Sequence, residues 1–516
     1  MLWLGTAAWE TAKPLPEGVR AESAWFRLPA AHVRFIADIT AADAYGRPVA
    51  SQGIFDEVLA VVRSARRFVV LDYFLFNAGS GNLAADAEAP MRPLSGELRD
   101  ALLEQRRVHP GLKVLFITDP INQAYGSDPS RDLVLLRAAG VDVTVVDLDR
   151  LRDPNAAYSA FWRVGISWWS GGGNGPRWLP NPLGERAAPI TFGAWARLLN
   201  FKADHRKVVI ADDGHGGLVG VIGSANPHDA SSAHSNVALR ISGPVLAPLL
   251  QSELAIARFS GWRGEISAPD APAQAQVAGA ARGSPAAPHG APATSDGPAS
   301  RRHGARAAHP VAAAALPTVE VKVATEGAIL AGLLERVRAA GATDNIDIAM
   351  FYLSDRDIIE SLLAASARGA AVRLILDPNK DAFGHEKSGI PNRPVASELV
   401  SASDGRIRVR WYRTHGEQFH TKLVMIYDPE HFWFTLGSAN LTRRNLADYN
   451  LEANTAVQAA RSAPIAGQMI EYFETLWSNR AALGIEYTAD FAVYADPAQS
   501  SYWLYRFMEG TGLSTF

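Results

Sequence analysis

Two short polar segments carry the residues with the clearest potential for chemistry. They are His205-Arg206-Lys207 and His420-Thr421-Lys422, and each opens a hydrophobic run. Side chains at positions i and i+2 of a strand project from one face, so each histidine is expected beside its lysine. An imidazole can attack phosphorus or donate a proton, and an ammonium group can neutralise phosphoryl oxygens. The pairing therefore suits phosphodiester transfer.

The same tetrapeptide pattern follows both segments. The two copies are Gly223-Ser224-Ala225-Asn226 and Gly437-Ser438-Ala439-Asn440. We expect the serines, Ser224 and Ser438, to fix the turns, and the asparagines, Asn226 and Asn440, to donate N–H groups to phosphoryl oxygens. One half offers only half of this equipment, so the site is expected where the two halves meet.

The residues that follow the histidines differ between the copies. Asp212 lies seven residues after His205, an odd offset that predicts a supporting role on the opposite strand face. The equivalent position after His420 is Tyr427, with Asp428 one place later. We expect either a small bulge in the second copy or a different role for Asp428.

The pattern H-x-K-x(4)-D followed by G-S-x-N, present twice, resembles that of the phospholipase D superfamily. The wider sequence is most similar to its bacterial cardiolipin-synthase and phospholipase D branch, over roughly residues 31–266 and 317–480. The resemblance implies a duplicated α/β sandwich, with two halves related by a pseudo-twofold axis and the active site between them. It also implies a two-step reaction that needs no metal and no other cofactor.

The resemblance assigns roles that the residues alone leave open. It implies that His205 is the nucleophile, forming a phosphohistidine, and that His420 is the general acid and later the base. It also implies that Glu452, in the run Asn450-Leu451-Glu452, hydrogen-bonds a catalytic imidazole and sets its tautomer. We take Asn236-Val237-Ala238 as the equivalent run of the first half, and it contains no acid.

Composition limits the class of protein. A chain of 516 residues suits two domains or one duplicated unit, and its net charge of -3 gives no general attraction for nucleic acid. Cysteine is absent, which excludes disulfide and thiolate chemistry. No stretch reaches the roughly 20 apolar residues that span a bilayer. No His/Asp/Glu cluster has metal-ligand spacing.

Hydrophobic periodicity predicts that both halves alternate helices and strands in one order, which indicates duplication and an α/β class. In the first half the predicted elements are a helix at 55–62, a strand at 68–75, a helix at 98–105, strands at 113–118 and 141–146, and a helix at 245–262. The second half repeats them as a helix at 329–339, a strand at 346–352, a helix at 355–367, strands at 372–376 and 406–413, and a helix at 464–478. Asp119-Pro120 and Asp377-Pro378 end equivalent strands, and these acids suit either a site or plain strand termination.

The chain is predicted to divide into five regions. They are an N-terminal segment at 1–30, which could be the remnant of a membrane anchor; a first half at 31–266; a disordered Ala/Pro-rich linker at 267–316; a second half at 317–480; and a C-terminal extension at 481–516. The first half holds an insertion at about 151–199 with five tryptophans: Trp162, Trp168, Trp169, Trp178 and Trp195. Such residues suit either a lipid headgroup boundary or a small satellite core. His228 and His234 flank the first Gly-Ser-Ala-Asn turn and suit either a pocket or an ordinary loop.

Three functions remain open from sequence. The first is phosphatidyl transfer or hydrolysis on a glycerophospholipid, with an alcohol or water as acceptor, at a membrane surface. The second is a nucleic-acid phosphodiesterase, which would want a basic groove that the charge balance disfavours. The third is a catalytically dead binding protein, against which the complete His, Lys and Asn sets argue. Because both motifs lie in one chain, we expect a monomer.

Overall fold

The computed structural model describes residues 1–78, 91–170, 173–181, 188–267, 317–382, 385–386, 388–480 and 484–516. The linker predicted at 267–316 lies outside the described residues except for its first position. None of the helices in these ranges has the length and apolar character needed to cross a bilayer.

The strands, in chain order, are β1 (Phe26–Pro29), β2 (Val33–Ala42), β3 (Pro48–Ser51), β4 (Phe68–Tyr73), β5 (Lys113–Thr118), β6 (Asp142–Val145), β7 (Lys207–Asp212), β8 (Leu218–Gly223), β9 (Asn236–Ser242), β10 (Thr318–Thr325), β11 (Asn345–Met350), β12 (Ala371–Leu376), β13 (Asp381–Ala382), β14 (His385–Glu386), β15 (Arg408–Tyr412), β16 (Lys422–Tyr427), β17 (His431–Gly437), β18 (Ala453–Ala460) and β19 (Thr488–Asp490).

The α-helices are α1 (Leu2–Ala12), α2 (Ile54–Ser64), α3 (Leu94–Val108), α4 (Arg131–Ala138), α5 (Ala156–Phe161), α6 (Phe192–Leu198), α7 (Leu246–Phe259), α8 (Gly327–Ala339), α9 (Arg356–Ala367), α10 (Asn392–Ala402), α11 (Arg443–Leu446), α12 (Pro464–Trp477) and α13 (Gln499–Thr511). All twelve elements predicted from periodicity are present, with ends shifted by a few residues.

Two mixed sheets share one strand order. Seven strands of the first sheet run β2-β9-β8-β7-β4-β5-β6, and seven of the second run β10-β18-β17-β16-β11-β12-β15. Within each series the last three strands are parallel and the others antiparallel. The repeated order confirms the predicted duplicated α/β class. It also places the two His-x-Lys strands, β7 and β16, at the centres of equivalent sheets.

Strands from the chain ends complete the second sheet. β1 pairs with β10 and β19 pairs with β15, so the segments at 1–30 and 481–516 each add an edge strand to it. The sheets pack against each other through β8 and β9 on one side and β17 and β18 on the other. Buried residues such as Ile210, Ile222, Leu423 and Leu436 form the core between them. This packing brings β7 and β16 towards each other.

Candidate active site

The two histidine segments meet through reciprocal backbone pairing. Asp204, just before His205, pairs with Leu451, and Phe419, just before His420, pairs with Ser235. Leu451 N donates to Ala203 O at 3.1 Å and Ser235 N donates to Gln418 O at 3.0 Å. Each half therefore holds the histidine segment of the other, as a pseudo-twofold arrangement requires.

His205 is oriented by a carboxylate from the second half. Its Nδ1–H donates to Glu452 Oε1 at 2.9 Å, and Glu452 also accepts from Ser438 Oγ and Asn445 Nδ2. Burial alone would raise the pKa of Glu452, but His205 and Lys207 hold that pKa below its usual range. Glu452 is therefore an acceptor, and the proton of neutral His205 sits on Nδ1, which leaves Nε2 as the nucleophilic nitrogen.

His420 is oriented by a neutral amide from the first half. Its Nδ1 lies 3.1 Å from Asn236 Oδ1, which also accepts from Ser224 Oγ at 2.9 Å. Asn236 Nδ2 donates to His234 O at 3.1 Å, which fixes the amide orientation. Asn236 is thus the structural equivalent of Glu452. The equivalence that we took from sequence, Asn236 with Asn450, is wrong by two residues.

The two lysines lie against their own motifs. Lys207 Nζ donates to His205 O at 2.5 Å, and Lys422 Nζ donates to His420 O at 2.9 Å. Each ammonium also lies over an aromatic ring, Phe74 at 5.3 Å and Phe351 at 5.2 Å from the ring centroid. The same rings pack on His205 and His420 with centroids 5.1 Å apart in both cases. Each half therefore holds its reactive pair against one phenylalanine.

Burial governs the ionisation of these groups. It lowers the pKa of His205 to about 4, with Glu452 offsetting part of the effect. It lowers the pKa of Lys207 to about 8. The pKa of His420 falls well below its usual value because of burial and then the charges of Lys422 and Lys207, and burial likewise holds the pKa of Lys422 well below its usual range. Both imidazoles are therefore neutral near pH 7. The charge of Lys207 lowers the pKa of both His420 and Lys422, so the two motifs affect each other's ionisation.

The serines and asparagines of the two turns differ in their hydrogen-bond partners. Ser224 and Ser438 accept from the backbone N–H groups of Val237 and Ala453 at 3.0 Å, so each serine ties its turn to the neighbouring strand. Asn226 Oδ1 accepts from Leu75 N at 3.2 Å, which leaves its amide N–H groups for another acceptor. The buried Oδ1 of Asn440 has no partner within the described ranges.

The residues after the two histidine strands have different tasks. Asp212 Oδ1 accepts backbone N–H groups of Arg67 at 2.7 Å and Phe68 at 2.9 Å, and so supports the start of β4. Tyr427 instead donates its hydroxyl to Asp347 Oδ2 at 2.8 Å on the neighbouring strand β11.

Of the two alternatives that the sequence left open for the second motif, the bulge is absent, because β16 pairs with β11 and β17 without a break in register. Asp428 lies outside the site. It accepts from Glu430 N at 2.7 Å and His431 N at 2.6 Å in the exposed β16–β17 turn. The alternative role that we left open for Asp428 is therefore turn formation.

Two buried acids position the histidine segments. Asp119 Oδ2 accepts from Asp204 N and Asp377 Oδ2 accepts from Phe419 N, both at 2.8 Å. Each carboxyl group thus holds the residue that precedes a histidine. Burial raises the pKa of Asp377 to about 7 and that of Asp119 well above its usual value. Their placement at strand ends pointed to these residues, whereas no motif or spacing pointed to Phe74 or Phe351.

The insertion divides its tryptophans between two environments. Trp162 is buried with Ile166 and Ala196 in a small separate core, and Trp195 is partly buried. Trp168, Trp169 and Trp178 are exposed. The satellite core is therefore present, and three of the five tryptophans lie on the surface outside it. Among the described residues no group of three or more acidic or histidine side chains could hold a metal ion.

Comparisons with known proteins agree with this geometry. A sequence model described as "Cardiolipin synthase, PLD-like domain" matches residues 336–477. No curated protein matches the chain. The crystal structure of phosphatidylserine synthase from Haemophilus influenzae Rd KW20 is 10% identical, covers 98% of this chain and 97% of its own, and has a TM-score of 0.51, which shows a shared fold.

Two other solved structures have lower TM-scores. Nuc from Salmonella typhimurium, a phospholipase D family member, is 20% identical over 31% of this chain and 95% of its own, with a TM-score of 0.25. Polyphosphate kinase from Porphyromonas gingivalis is 12% identical over 99% of this chain and 58% of its own, with a TM-score of 0.42. Neither likeness carries further argument.

The family match and the shared fold support a function in the handling of phosphodiesters. The family match lies within the second half, the fold likeness extends over nearly the whole chain, and the duplicated motif connects the two. Residues 336–477 therefore match a phospholipase D-like family, and the first half repeats their strand order and their motif.

Proposed function

We propose that the protein is a phosphatidyltransferase or phospholipase D that acts on glycerophospholipids through a covalent phosphohistidine. The observation that carries this proposal is the reciprocal site, in which the two His-x-Lys pairs, one from each half, lie close enough for their charges to shift one another's pKa values. The lysines and amides would surround the non-bridging oxygens of a phosphodiester. Both halves have a complete set, which argues against a dead binding protein.

His205 suits the role of nucleophile better than His420. Glu452 accepts the Nδ1–H of His205 and would stabilise the positive charge that forms on this ring when Nε2 bonds to phosphorus. Asn236 gives His420 no such charge. In the first step the P–N bond forms as the P–O bond to the leaving alcohol breaks, and the proton of His420 passes to that oxygen.

The second step reverses the first with another acceptor. His420 Nε2 takes a proton from water or from an acceptor alcohol, whose oxygen attacks phosphorus as the P–N bond breaks. His420 must be protonated before it can act as the acid, and the negative charge of a bound phosphodiester would favour that form by offsetting the charges of Lys207 and Lys422. Water gives phosphatidic acid, and an alcohol gives a new phosphodiester.

We also propose that the protein meets its substrate as a peripheral membrane protein. Exposed apolar side chains extend over α1 (Leu2, Trp3, Leu4 and Trp9), the insertion (Phe161, Trp168, Trp169 and Trp178) and α13 (Trp503, Leu504 and Phe507). α1 packs on α5, so the first two groups lie on adjoining elements. Indole rings favour the headgroup boundary of a bilayer.

Two assays test the proposal. Purified protein is incubated with phosphatidylglycerol in mixed micelles and, separately, with single-stranded DNA. Cardiolipin or phosphatidic acid is the expected product, whereas cleavage of DNA alone would favour a nuclease and no reaction with either would favour a binding protein.

For membrane contact, sedimentation with phosphatidylglycerol vesicles compares the wild type with Trp168→Ser/Trp169→Ser. A control on another exposed helix, Leu135→Ser in α4, should bind like the wild type. Equal binding by the tryptophan variant and the wild type would exclude the insertion as the contact.

A further inference from the structure

A third histidine lies at the site and is not needed by the two-step reaction. His234 occupies the same place in the first half as Asn450 does in the second. Gln418 N donates to His234 Nδ1 at 3.1 Å, and Ala203 N donates to Asn450 Oδ1 at 3.1 Å. Gln418 and Ala203 each lie two residues before a motif histidine. Both side chains therefore accept the equivalent backbone N–H.

This contact fixes the tautomer of His234. A backbone N–H can only donate, so Nδ1 must accept and the ring hydrogen must lie on Nε2. Burial, followed by the nearby His228 and Lys422, lowers the pKa of His234 to about 3. The ring thus stays neutral at physiological pH. Nε2 is always an N–H donor, because the other tautomer would break the hydrogen bond from Gln418 N to Nδ1.

The donor is placed on the His420 side of the site. The His234 and His420 ring centroids are 6.1 Å apart, and the His234 side chain remains partly exposed. Within the described ranges, the hydrogen bonds of His234 involve only Nδ1 and the backbone, and Nε2 has no hydrogen-bond partner. A ligand that supplies an acceptor to a buried or half-buried donor without a partner gains binding free energy from the new hydrogen bond.

We propose that His234 is a substrate-binding residue whose Nε2–H donates to a second hydroxyl oxygen of the alcohol bound beside His420. The ligand class is a polyol, one of whose hydroxyls leaves or attacks while its neighbour accepts from His234. This inference rests on the proposed function, because it assumes that His420 marks the side of the leaving and entering alcohols. It explains how transfer to a polyol could compete with hydrolysis, since water has no second hydroxyl to offer.

Two variants separate this role from the support of the backbone. His234→Asn keeps an acceptor for Gln418 N where Nδ1 lies, as Asn450 does for Ala203 N, but its amide does not reach the Nε2 position. His234→Gln places an amide N–H near the Nε2 position and gives up the acceptor near the backbone. A structural role predicts that Asn is the better replacement, and a substrate-binding role predicts that Gln is.

The test uses the full chain with phosphatidylcholine in mixed micelles and equal concentrations of glycerol and ethanol as competing acceptors. We expect His234→Asn to lower the ratio of phosphatidylglycerol to phosphatidylethanol about 10-fold, the value of one hydrogen bond, and His234→Gln to recover most of it. The ratio is internal to each sample, so a loss of folded protein does not change it. An unchanged ratio in His234→Asn, or a lower ratio in Gln than in Asn, would overturn the inference.

Failure of the proposed function gives a different result. If the wild type converts phosphatidylcholine to neither transfer product nor phosphatidic acid, phospholipid chemistry is wrong and the role of His234 falls with it. If the wild type makes these products but the variants keep its ratio, only the role of His234 is wrong.

Discussion

The surroundings of the two histidines differ far more than the motifs themselves. Below His205 lies a buried cluster of charged side chains: Asp72, Asp204, Arg206, Glu253 and Glu326. Arg206 donates to Glu326 Oε1 at 2.6 Å and to Glu253 Oε1 at 3.1 Å. Burial raises the pKa of Asp204 and of Glu326 to about 7, and it raises that of Asp72 well above its usual value.

Three of the equivalent positions below His420 are uncharged, whereas a buried acid, Asp38, occupies the position equivalent to Glu326. Motif and strand register place Phe419, Thr421 and Ala349 where the first half has Asp204, Arg206 and Asp72. Phe419 stacks on Tyr412 with centroids 4.3 Å apart, and Thr421 Oγ1 lies 3.4 Å from Tyr472 Oη. Duplication has therefore retained the motif residues and has changed the residues that support them. The charged support lies under the imidazole that we propose to become cationic.

Substituting each histidine in turn is the most direct test of whether the two halves have different roles. His205→Asn should lower turnover at least about 10⁴-fold, because the nucleophile is lost. His420→Asn should lower it about 10²- to 10⁴-fold for alkyl leaving groups and far less for 4-nitrophenol, which leaves without a proton. Rates with both substrate types and mass spectrometry of the quenched protein measure this. The assignment is contradicted if the covalent phosphohistidine is found in His205→Asn. It is also contradicted if neither variant contains the phosphohistidine.

Removing the central charge of the first half should cost more stability than the matched change in the second. Arg206→Ala leaves Glu253 and Glu326 buried without their cation, for a loss of about 3–5 kcal/mol, whereas Thr421→Ala removes weak hydroxyl contacts worth at most about 1 kcal/mol. Urea unfolding at pH 7 measures both.

The same pair has a pH signature. Without Arg206 the pKa of Glu326 rises further in the folded state, and a raised carboxyl pKa costs stability only above the unfolded value. Because the folded wild type already holds the pKa of Glu326 at about 7, the further rise adds to the deficit of Arg206→Ala only above that value, and the deficit should shrink between pH 9 and pH 7. A deficit that stays constant would show that packing, and not charge, is responsible.

The two imidazole partners offer a gentler comparison. Glu452→Gln keeps an acceptor for His205 but removes the charge, and we expect turnover to fall about 10²-fold. Asn236→Asp adds a charge beside His420, which raises its pKa and should move the alkaline limb of the rate profile, where His420 loses the proton that it donates, to higher pH by about 1–3 units. Rate profiles from pH 4 to pH 9 test both. Equal losses without any shift would mean that the two partners are interchangeable.

Hydrophobic periodicity and motif spacing predicted the parts of the fold and the site that depend on neighbouring residues in the chain. The strand at 113–118, the helix from Pro464 and the His, Lys, Asn and Ser sets follow from periodicity and spacing. Pairing across the two halves could not be predicted in this way. Asn236 looked equivalent to Asn450 because both begin similar runs, but tertiary contact with the turn serines and imidazoles matches it with Glu452. The insertion tryptophans show the same limit, because composition cannot tell Trp162, which packs inward, from Trp168.

The lysines give the smallest contrast. The pKa of Lys207 is lowered to about 8 by burial, with Glu452, Asp204 and Asp72 offsetting part of the effect. Burial, and then the charge of Lys207, hold the pKa of Lys422 well below its usual value, with Glu452 and Asp377 offsetting part of that effect. A lysine is charged below its pKa, so anion binding should weaken about tenfold for each pH unit above 8 as Lys207 loses its proton. Calorimetric titration with sulfate, whose charge is constant from pH 6 to pH 10, measures this dependence.

Two variants at the first motif and one at the second complete that test. Lys207→Met should weaken sulfate binding at pH 7 and remove the change near pH 8, and Lys207→Arg should keep binding strong beyond it, because a guanidinium stays charged. Lys422→Met should retain the change near pH 8, since Lys207 is still present. If sulfate binding in the wild type instead weakened with a midpoint near pH 10, about the value of an ordinary lysine, water would reach the site freely. Burial would then not lower the pKa of either lysine, and the two halves would not differ in charge.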